Sequence, residues 1–400
     1  MRVLLSTYGG RGDVEPLVAL AVRLRESGAE VRVSAPPDWA ERFARFDLEL
    51  TPLGASVRDL LHAKTAPSVA DVPRMAAELM ADQFAKLPAV AQGCDTVVAT
   101  GLFPVAASVQ SVAEKLGARY VYAAYCPVFL PSPQRRPMPA PGKPLPADVT
   151  DPGELDAISI RNYNEVFGEA LNANRASLGL PPVDNARDQV FTDHPWVAAD
   201  PVLAPADPGL TQPGAWTLPD ERPLPAALEA FLDQGTPPVY VGFGSMRAPA
   251  DIARIAVDAI RAQGRRAVFG GGWAGLAPIE EWDGCFAVDE VNQQALFRRV
   301  AVAVHHGGAG TTTAAAAAGV PQVVVPQMAD QPYFAARVAE LGIGVAHDGA
   351  TPTTESLSAA LERALTADTR TRAAAVAPTI RTDGATVTAR LLVEGHGHES

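Results

Sequence analysis

His305-His306-Gly307-Gly308-Ala309-Gly310-Thr311-Thr312-Thr313 is the stretch of this 400-residue chain whose reading decides the fold. It follows the apolar run Val300-Ala301-Val302-Ala303-Val304 and leads into the alanines 314–318. A short apolar run bounded by glycines predicts a strand buried on both faces. The small residues after it let the backbone turn sharply and approach a ligand closely. The threonines and alanines then start a helix whose first N–H groups have no partner inside it and point back at the turn. Such a helix start attracts anions, phosphates above all. Two histidines at the strand end can both bond that anion, or one can bond it while the other packs beneath. A glycine turn before a helix also occurs in α/β connections that bind nothing, so the surroundings matter. Gly319 and Pro321 stop the helix, residues 322–325 give a short buried strand, and Pro326-Gln327-Met328-Ala329-Asp330-Gln331-Pro332 forms a polar loop at its end. Two successive strand ends therefore present loops side by side.

Working back from this stretch, residues 238–242 read as a strand that runs into a second glycine turn, Gly242-Phe243-Gly244-Ser245-Met246, and a helix over 252–262. A nucleophile elbow, Gly-x-Ser-x-Gly, is excluded there because Arg247 stands in place of the last glycine. Gly270-Gly271-Gly272-Trp273-Ala274-Gly275 matches Gly-x-Gly-x-x-Gly after the strand 266–269, with Asp289 and Glu290 downstream, the pattern of a nicotinamide dinucleotide oxidoreductase. The segment behind it, residues 276–282, lacks the apolar periodicity of a helix able to hold a pyrophosphate. A short strand is expected at 285–288, a helix at 292–300, and terminal helices at 353–365 and 370–392. His396 and His398 have a spacing that could ligate a metal, or belong to a mobile charged tail.

The first half begins in the same way. Residues 3–7 form a buried strand, Tyr8-Gly9-Gly10-Arg11-Gly12-Asp13 the turn, and Leu17, Leu20, Ala21 and Leu24 the inner face of a helix that Gly28 ends. Asp13 suits an N-cap and Pro16 the first turn. With a strand at 30–35 this completes a βαβ start. A helix and strand within 38–53, a polar stretch to about residue 67, helices at 72–90, 104–116 and 154–178, and strands at 94–99, 119–124 and 196–199 continue the alternation. Residues 127–146, rich in proline and carrying Arg135, Arg136 and Lys143, read as an extended loop, and the proline-studded 201–225 as a connector.

Composition sets the class. The length exceeds what one core usually organises, and 48% hydrophobic with 20% charged residues is ordinary for globular α/β material. A net charge of −12 repels nucleic acid and anionic membrane, so a phosphate must be held by helix ends and a few polar side chains. Cys94, Cys126 and Cys285 give neither a disulfide framework nor zinc spacing. No signal peptide opens the sequence and no apolar run spans a bilayer, so a cytoplasmic protein without integral membrane association is expected.

Three motifs in order, Asp289-Glu290-Val291-Asn292-Gln293-Gln294-Ala295-Leu296-Phe297, His305 to Thr311, and Pro326-Gln327-Met328-Ala329-Asp330-Gln331, resemble the donor signature of nucleotide-sugar-dependent glycosyltransferases of the GT-B type. Among these the chain is most similar to bacterial enzymes that decorate glycopeptide antibiotics of the vancomycin type. The resemblance implies an α/β protein with two Rossmann-like doubly wound domains facing across a cleft. Residues 1–200 would bind the acceptor, 201–225 link, 226–375 bind the donor, and 376–400 return as a helix and tail to the first domain.

The resemblance implies an inverting transfer of a sugar or deoxysugar from a TDP- or UDP-sugar to a hydroxyl of a natural product, a glycopeptide aglycone or pseudoaglycone. Asp13 would be the general base, with Gly10, Arg11 and Gly12 beside the donor. In the second half it implies Ser245 as a hydroxyl donor to the phosphates, Met246 as a base or ribose neighbour, and Val288 and Asn292 at the nucleobase. His305 would bond the leaving diphosphate, and His306 and the turn Gly307, Gly308, Ala309, Gly310 and Thr311 would also lie at the donor, although alternation along an extended segment turns His306 the other way from His305. Asp330 and Gln331 would hold sugar hydroxyls. No Asp-x-Asp triplet occurs, so no metal is expected and the nucleotide sugar is a co-substrate rather than a cofactor. A monomer is expected. The rival readings are a nucleotide-sugar epimerase of the same fold and a non-catalytic nucleotide-sugar binding protein that keeps the His305 loop without needing a base at Asp13.

Overall fold

The computed structural model describes residues 1–62, 68–246, 248–273, 275–276 and 282–396. Arg247, His398, the polar residues 63–67 and most of the segment 276–282 lie outside them. The chain divides into two compact units, each described by itself. The first comprises Met1–Ala199, Pro205–Thr217 and Asp383–Ser400, and the second Asp200–Ala204 and Leu218–Thr382. The connector read as one linker is thus shared. Its first residues belong to unit 2, where Arg337 Nε donates to the Val202 carbonyl, and the next to unit 1, where Thr211 bridges Trp196.

Unit 1 is a six-stranded parallel sheet of β1 (Arg2–Ser6), β2 (Glu30–Ala35), β3 (Leu50–Pro52), β4 (Thr96–Thr100), β5 (Arg119–Ala124) and β6 (Trp196–Val197), in the order β3-β2-β1-β4-β5-β6. Val3, Leu4, Leu5, Val97 and Val98 are almost wholly buried, as expected of central strands covered by helices on both faces. The order reverses between β1 and β4, so the turns after these two strands diverge and leave a crevice at their carboxyl ends. The helix Arg11–Glu26 follows β1, and Phe103–Leu116 follows β4 and ends on the left-handed Gly117.

Unit 2 repeats the plan with β7 (Val239–Gly242), β8 (Ala267–Gly270), β9 (Cys285–Val288), β10 (Val302–His305), β11 (Gln322–Val324) and β12 (Gly344–Ala346), ordered β12-β11-β10-β7-β8-β9. The reversal falls between β10 and β7, where His305 is in register with Gly242. Successive strand residues serve opposite cores. Val239, Val241, Val302 and Val304 pack with the helices Ile252–Ala262 and Thr354–Ala364, whereas Tyr240, Ala303 and Phe297 pack on the other side.

Three expected elements differ. The helix over 154–178 contains a π turn, Asn164–Gly168, where Asn164 bonds Asp184 and Ala186 with its side chain. The helix over 370–392 is instead Ala367–Val376, a 3-10 turn at Ala377–Thr379, and Gly384–His396. Pro378 removes a donor from the ladder, and Gly384 presses so closely on Gly214 and Ala215 that a Cβ would meet their backbone at 2.3–2.4 Å. The expected helix over 292–300 spans only Gln293–Phe297. Helix Gly384–His396 packs on helix Arg11–Glu26 within unit 1. Among the described residues, no helix is long and apolar enough to cross a membrane.

Candidate active site

In unit 1 the site is built on the turn after β1. Gly10 is the N-cap and Arg11 the first helical residue, so Asp13 lies in the first turn of the helix rather than at its cap. The Asp13 carboxylate folds back over Gly9, where a Cβ would lie 1.9 Å from Oδ2, and beside Gly101, where a Cβ would lie 3.3 Å from Oδ1. Gly101, at φ +78°, is the turn after β4, so both strand ends at the reversal frame one carboxylate. The Tyr122 hydroxyl donates to the Gly101 carbonyl at 3.2 Å. Leu102, next in the chain, is half exposed, an apolar surface beside the acid. Gly12 is exposed and has open space where a Cβ would go, and Arg11 pairs at 3.8 Å with Glu15.

In unit 2 it is His305 whose ring is bonded on both sides within the protein, and His306 whose ring is not. His305 is fully buried. Its Nδ1 accepts from the Gly307 N–H at 3.0 Å, which leaves the proton on Nε2 for Gln322 Oε1 at 2.9 Å. Both ring nitrogens are spent inside the protein, and burial foremost, with His306 nearby, pushes its pKa down to about 3. His306 lies over the glycine turns. Its Nε2 would be 2.6 Å from a Cβ at Gly308, its Cε1 3.2 Å from one at Gly244, and its buried Nδ1 has no hydrogen-bond partner among the described residues. Burial lowers its pKa to about 4, so it too is neutral at physiological pH.

Below His306 the helix Ala309–Ala318 starts with Gly308 as N-cap, no capping side chain and no acidic residue in its first turn. The hydroxyls of Thr312 and Thr313 bond back to the carbonyls of Gly308 and Ala309. Thr311 is the first hydroxyl left without such a bond. Gly307, at φ +92°, is required both by its left-handed backbone and by Val324, which a Cβ would meet at 2.6 Å.

The loop after β11 carries Asp330 and Gln331. Burial raises the Asp330 carboxyl to about 6. Gln331 is buried, and its oxygen accepts from the N–H groups of Gln327 and Met328 at 2.8 and 3.1 Å. Only its NH₂ group faces outward from the loop, and its partner there, Met246 Sδ, is a weak acceptor. Gln331 therefore shapes its own loop and draws Met246, which follows Ser245 after β7, toward it.

The side chains of the two residues expected at the nucleobase have partners within the protein. The Asn292 side chain caps its helix by accepting from Ala295 N and donates to the carbonyls of Asp220 and Arg222, which uses its amide fully. The Val288 side chain is packed in the core. At the Gly270 run no helix follows β8 among the described residues, and Gly272 lies so near Gly244 that a Cβ would be 2.0 Å from its carbonyl oxygen. Those glycines serve backbone approach to the β7 turn. Gly101 and Gly244, the second glycine at each reversal, belong to no sequence motif that marks them as site residues. Their signal is position alone, since each follows the strand paired with the motif strand.

Two parallel doubly wound units, one with a carboxylate at its reversal and the other with an uncapped helix start, have the plan of the GT-B glycosyltransferases. Residues 3–132 match the glycosyltransferase family 28 N-terminal domain, and residues 282–386 the C-terminal domain of erythromycin biosynthesis protein CIII-like proteins. The whole chain is 57% identical to glycosyltransferase GtfE and 55% identical to vancomycin aglycone glucosyltransferase, in each case over 98% of the relative. Over 94% of the chain and 93% of the relative it is 50% identical to dTDP-epi-vancosaminyltransferase, and all three are from Amycolatopsis orientalis. The solved glycotransferase of kitacinnamycin, 21% identical, shares the fold with a TM-score of 0.75 over 99% of this chain and 98% of that one. The chain belongs to the bacterial vancomycin-type glycosyltransferases, and it is an enzyme of that class.

Proposed function

We propose that this glycosyltransferase moves a sugar or deoxysugar from a TDP- or UDP-sugar to a hydroxyl of a glycopeptide aglycone or pseudoaglycone, with inversion at the anomeric carbon. The acceptor oxygen attacks C1 of the sugar as the bond from C1 to the diphosphate breaks. Asp13 takes the acceptor proton, and the diphosphate takes the bonding electrons. The observation that carries the reading is the Nδ1 of His306, without a hydrogen-bond partner among the described residues, beside an uncapped helix start. A neutral imidazole and the N–H groups of Ala309, Gly310 and Thr311 stabilise charge that grows on the leaving group without needing a cation. Ser245 adds a hydroxyl from the neighbouring turn. His305 supports the turn through Gly307. Asp330 accepts from sugar hydroxyls, and Gln331 donates its NH₂ by releasing the sulfur of Met246.

The relatives' names support a glycopeptide acceptor and a thymidine diphosphate donor for this chain. We further propose a cytoplasmic monomer in which residues 1–200 serve the acceptor and 226–375 the donor, with Gly10, Arg11 and Gly12 at the donor-facing side of the first helix. Incubation with labelled TDP- and UDP-sugars, with and without a glycopeptide aglycone, tests the proposal. Diphosphate release that depends on the aglycone is expected. Epimerised free sugar nucleotide, or tight binding without turnover, would replace the proposal with an epimerase or a silent binder.

A further inference from the structure

Residues from three segments far apart in sequence form a chain of contacts that ends on the backbone of Asp13. The Tyr125 hydroxyl lies 3.1 Å from the Asp13 carbonyl oxygen and 3.2 Å from Thr100 Oγ1. A phenol has one proton and a carbonyl can only accept, so Tyr125 donates to Asp13 and accepts from Thr100. Burial, helped by the Asp13 charge, holds the phenol well above its usual pKa of 10, so it is a donor at every working pH. The ring of Tyr125 meets Trp216 edge to face, with centroids 5.9 Å apart and planes at 81°. The indole N–H of Trp216 donates to Thr388 Oγ1 at 2.7 Å, and both residues are buried. Thr388 sits on the helix Gly384–His396, which packs on the helix that bears Asp13. All of these residues belong to unit 1.

We propose that Tyr125 is a positioning residue for Asp13, and that Trp216 and Thr388 hold Tyr125 in place, so that the connector and the C-terminal helix set the aim of the catalytic carboxylate. The proposal rests on the reading of Asp13 as the general base. A second hydrogen bond to the Asp13 carbonyl fixes the orientation of the first helical turn, and with it the direction in which the side chain leaves the backbone. The room for the carboxylate is narrow, bounded by Gly9 and Gly101, so a small rotation of that turn moves the oxygens relative to an acceptor hydroxyl.

The test is a double-mutant cycle on the full chain. Tyr125→Phe keeps the ring and removes only the hydroxyl. It is expected to lower kcat about three- to tenfold, the fold-change of one hydrogen bond, with donor KM and nucleoside diphosphate affinity unchanged. In an Asp13→Asn background the same substitution should change the residual rate less than about twofold, because the group it aims is gone. Thr388→Val should shift kcat in the same direction and Thr388→Ser should restore it. If Tyr125→Phe fails to fold, the Thr388 pair in both backgrounds carries the comparison. An unchanged kcat in folded Tyr125→Phe overturns the proposal, as does an equal loss with and without Asp13. A wild-type rate for Asp13→Asn alone would instead show that the base assignment has failed, and the proposal with it.

Discussion

The two sheet reversals of this enzyme are built alike and filled differently. Each has a glycine turn after one strand and a left-handed glycine after its neighbour, Gly101 at φ +78° in unit 1 and Gly244 at φ +64° in unit 2. Each turn leads into a helix whose first N–H groups face the crevice. In unit 1 the protein supplies the negative charge itself, with Asp13 in the first helical turn. In unit 2 that turn holds no acid, and the two histidines above it are neutral. The positive end of a helix thus has a resident carboxylate in its first turn in one unit and none in the other. On the proposed function, one frame serves as the base in one unit and as the leaving-group site in the other, according to which side of the turn carries the anion.

The largest test of this comparison removes the resident charge. Asp13→Asn is expected to slow transfer at least about a hundredfold, while nucleoside diphosphate still raises the thermal midpoint as in the wild type. Rate and thermal shift on one preparation decide it. Retained rate with retained binding would make Asp13 only a helix-start residue.

The histidines sharpen the unit 2 side. His306→Ala should slow turnover roughly tenfold to a thousandfold with little loss of stability, since its Nδ1 has no hydrogen-bond partner among the described residues. His305→Ala should chiefly destabilise, by about 2–4 kcal/mol, because it strands the Gln322 amide oxygen and the Gly307 N–H and leaves a cavity. Chemical denaturation beside initial rates separates the two, and the opposite pattern would restore the expected assignment to His305.

Giving unit 2 a charge of its own should close its site. Gly310 has open space where a Cβ would go, so Gly310→Asp is tolerated sterically but sets a carboxylate at the helix start. Nucleoside diphosphate affinity should fall at least about tenfold, with the fold kept. Calorimetric titration that found no change would mean the diphosphate lies elsewhere.

The smallest effect is on stability against pH. The folded pKa values of His305 and His306, about 3 and 4, lie below the unfolded value near 6.5, so between these limits the unfolded chain binds more protons. Stability therefore falls as pH drops from about 6.5 toward 4, and His306→Gln should lose about 1 kcal/mol less than wild type between pH 7.5 and 5.5. Asp330 acts in the opposite sense. Its pKa is raised to about 6, so its contribution is lost as pH rises toward that value. Midpoints of denaturant unfolding across this range check both signs.

The order of strand, glycine turn and helix in both halves was readable because it rests on local physics: apolar runs, small residues at the turns, and glycines or prolines that end helices. The strand β10 and the helix Ala309–Ala318 follow from their own residues. So does the presence of an acid after β1. Alternation along an extended strand also says that His305 and His306 face opposite ways. It cannot say which faces inward. That choice belongs to Gln322, 17 residues on, which takes the buried Nε2 of His305, and to Gly244, which leaves room for His306. In the same way Asn292 has the chemistry of a base contact, and only its bonds to Asp220 and Arg222 show that its amide is used. The placing of Asp13 between Gly9 and Gly101, and of Tyr125 behind it, needs β1, β4, residue 216 and the C-terminal helix together. A sequence determines which groups a turn can offer. Which of them remain unsatisfied and turned toward the crevice is settled by hydrogen bonds and packing between residues that only the folded chain brings together.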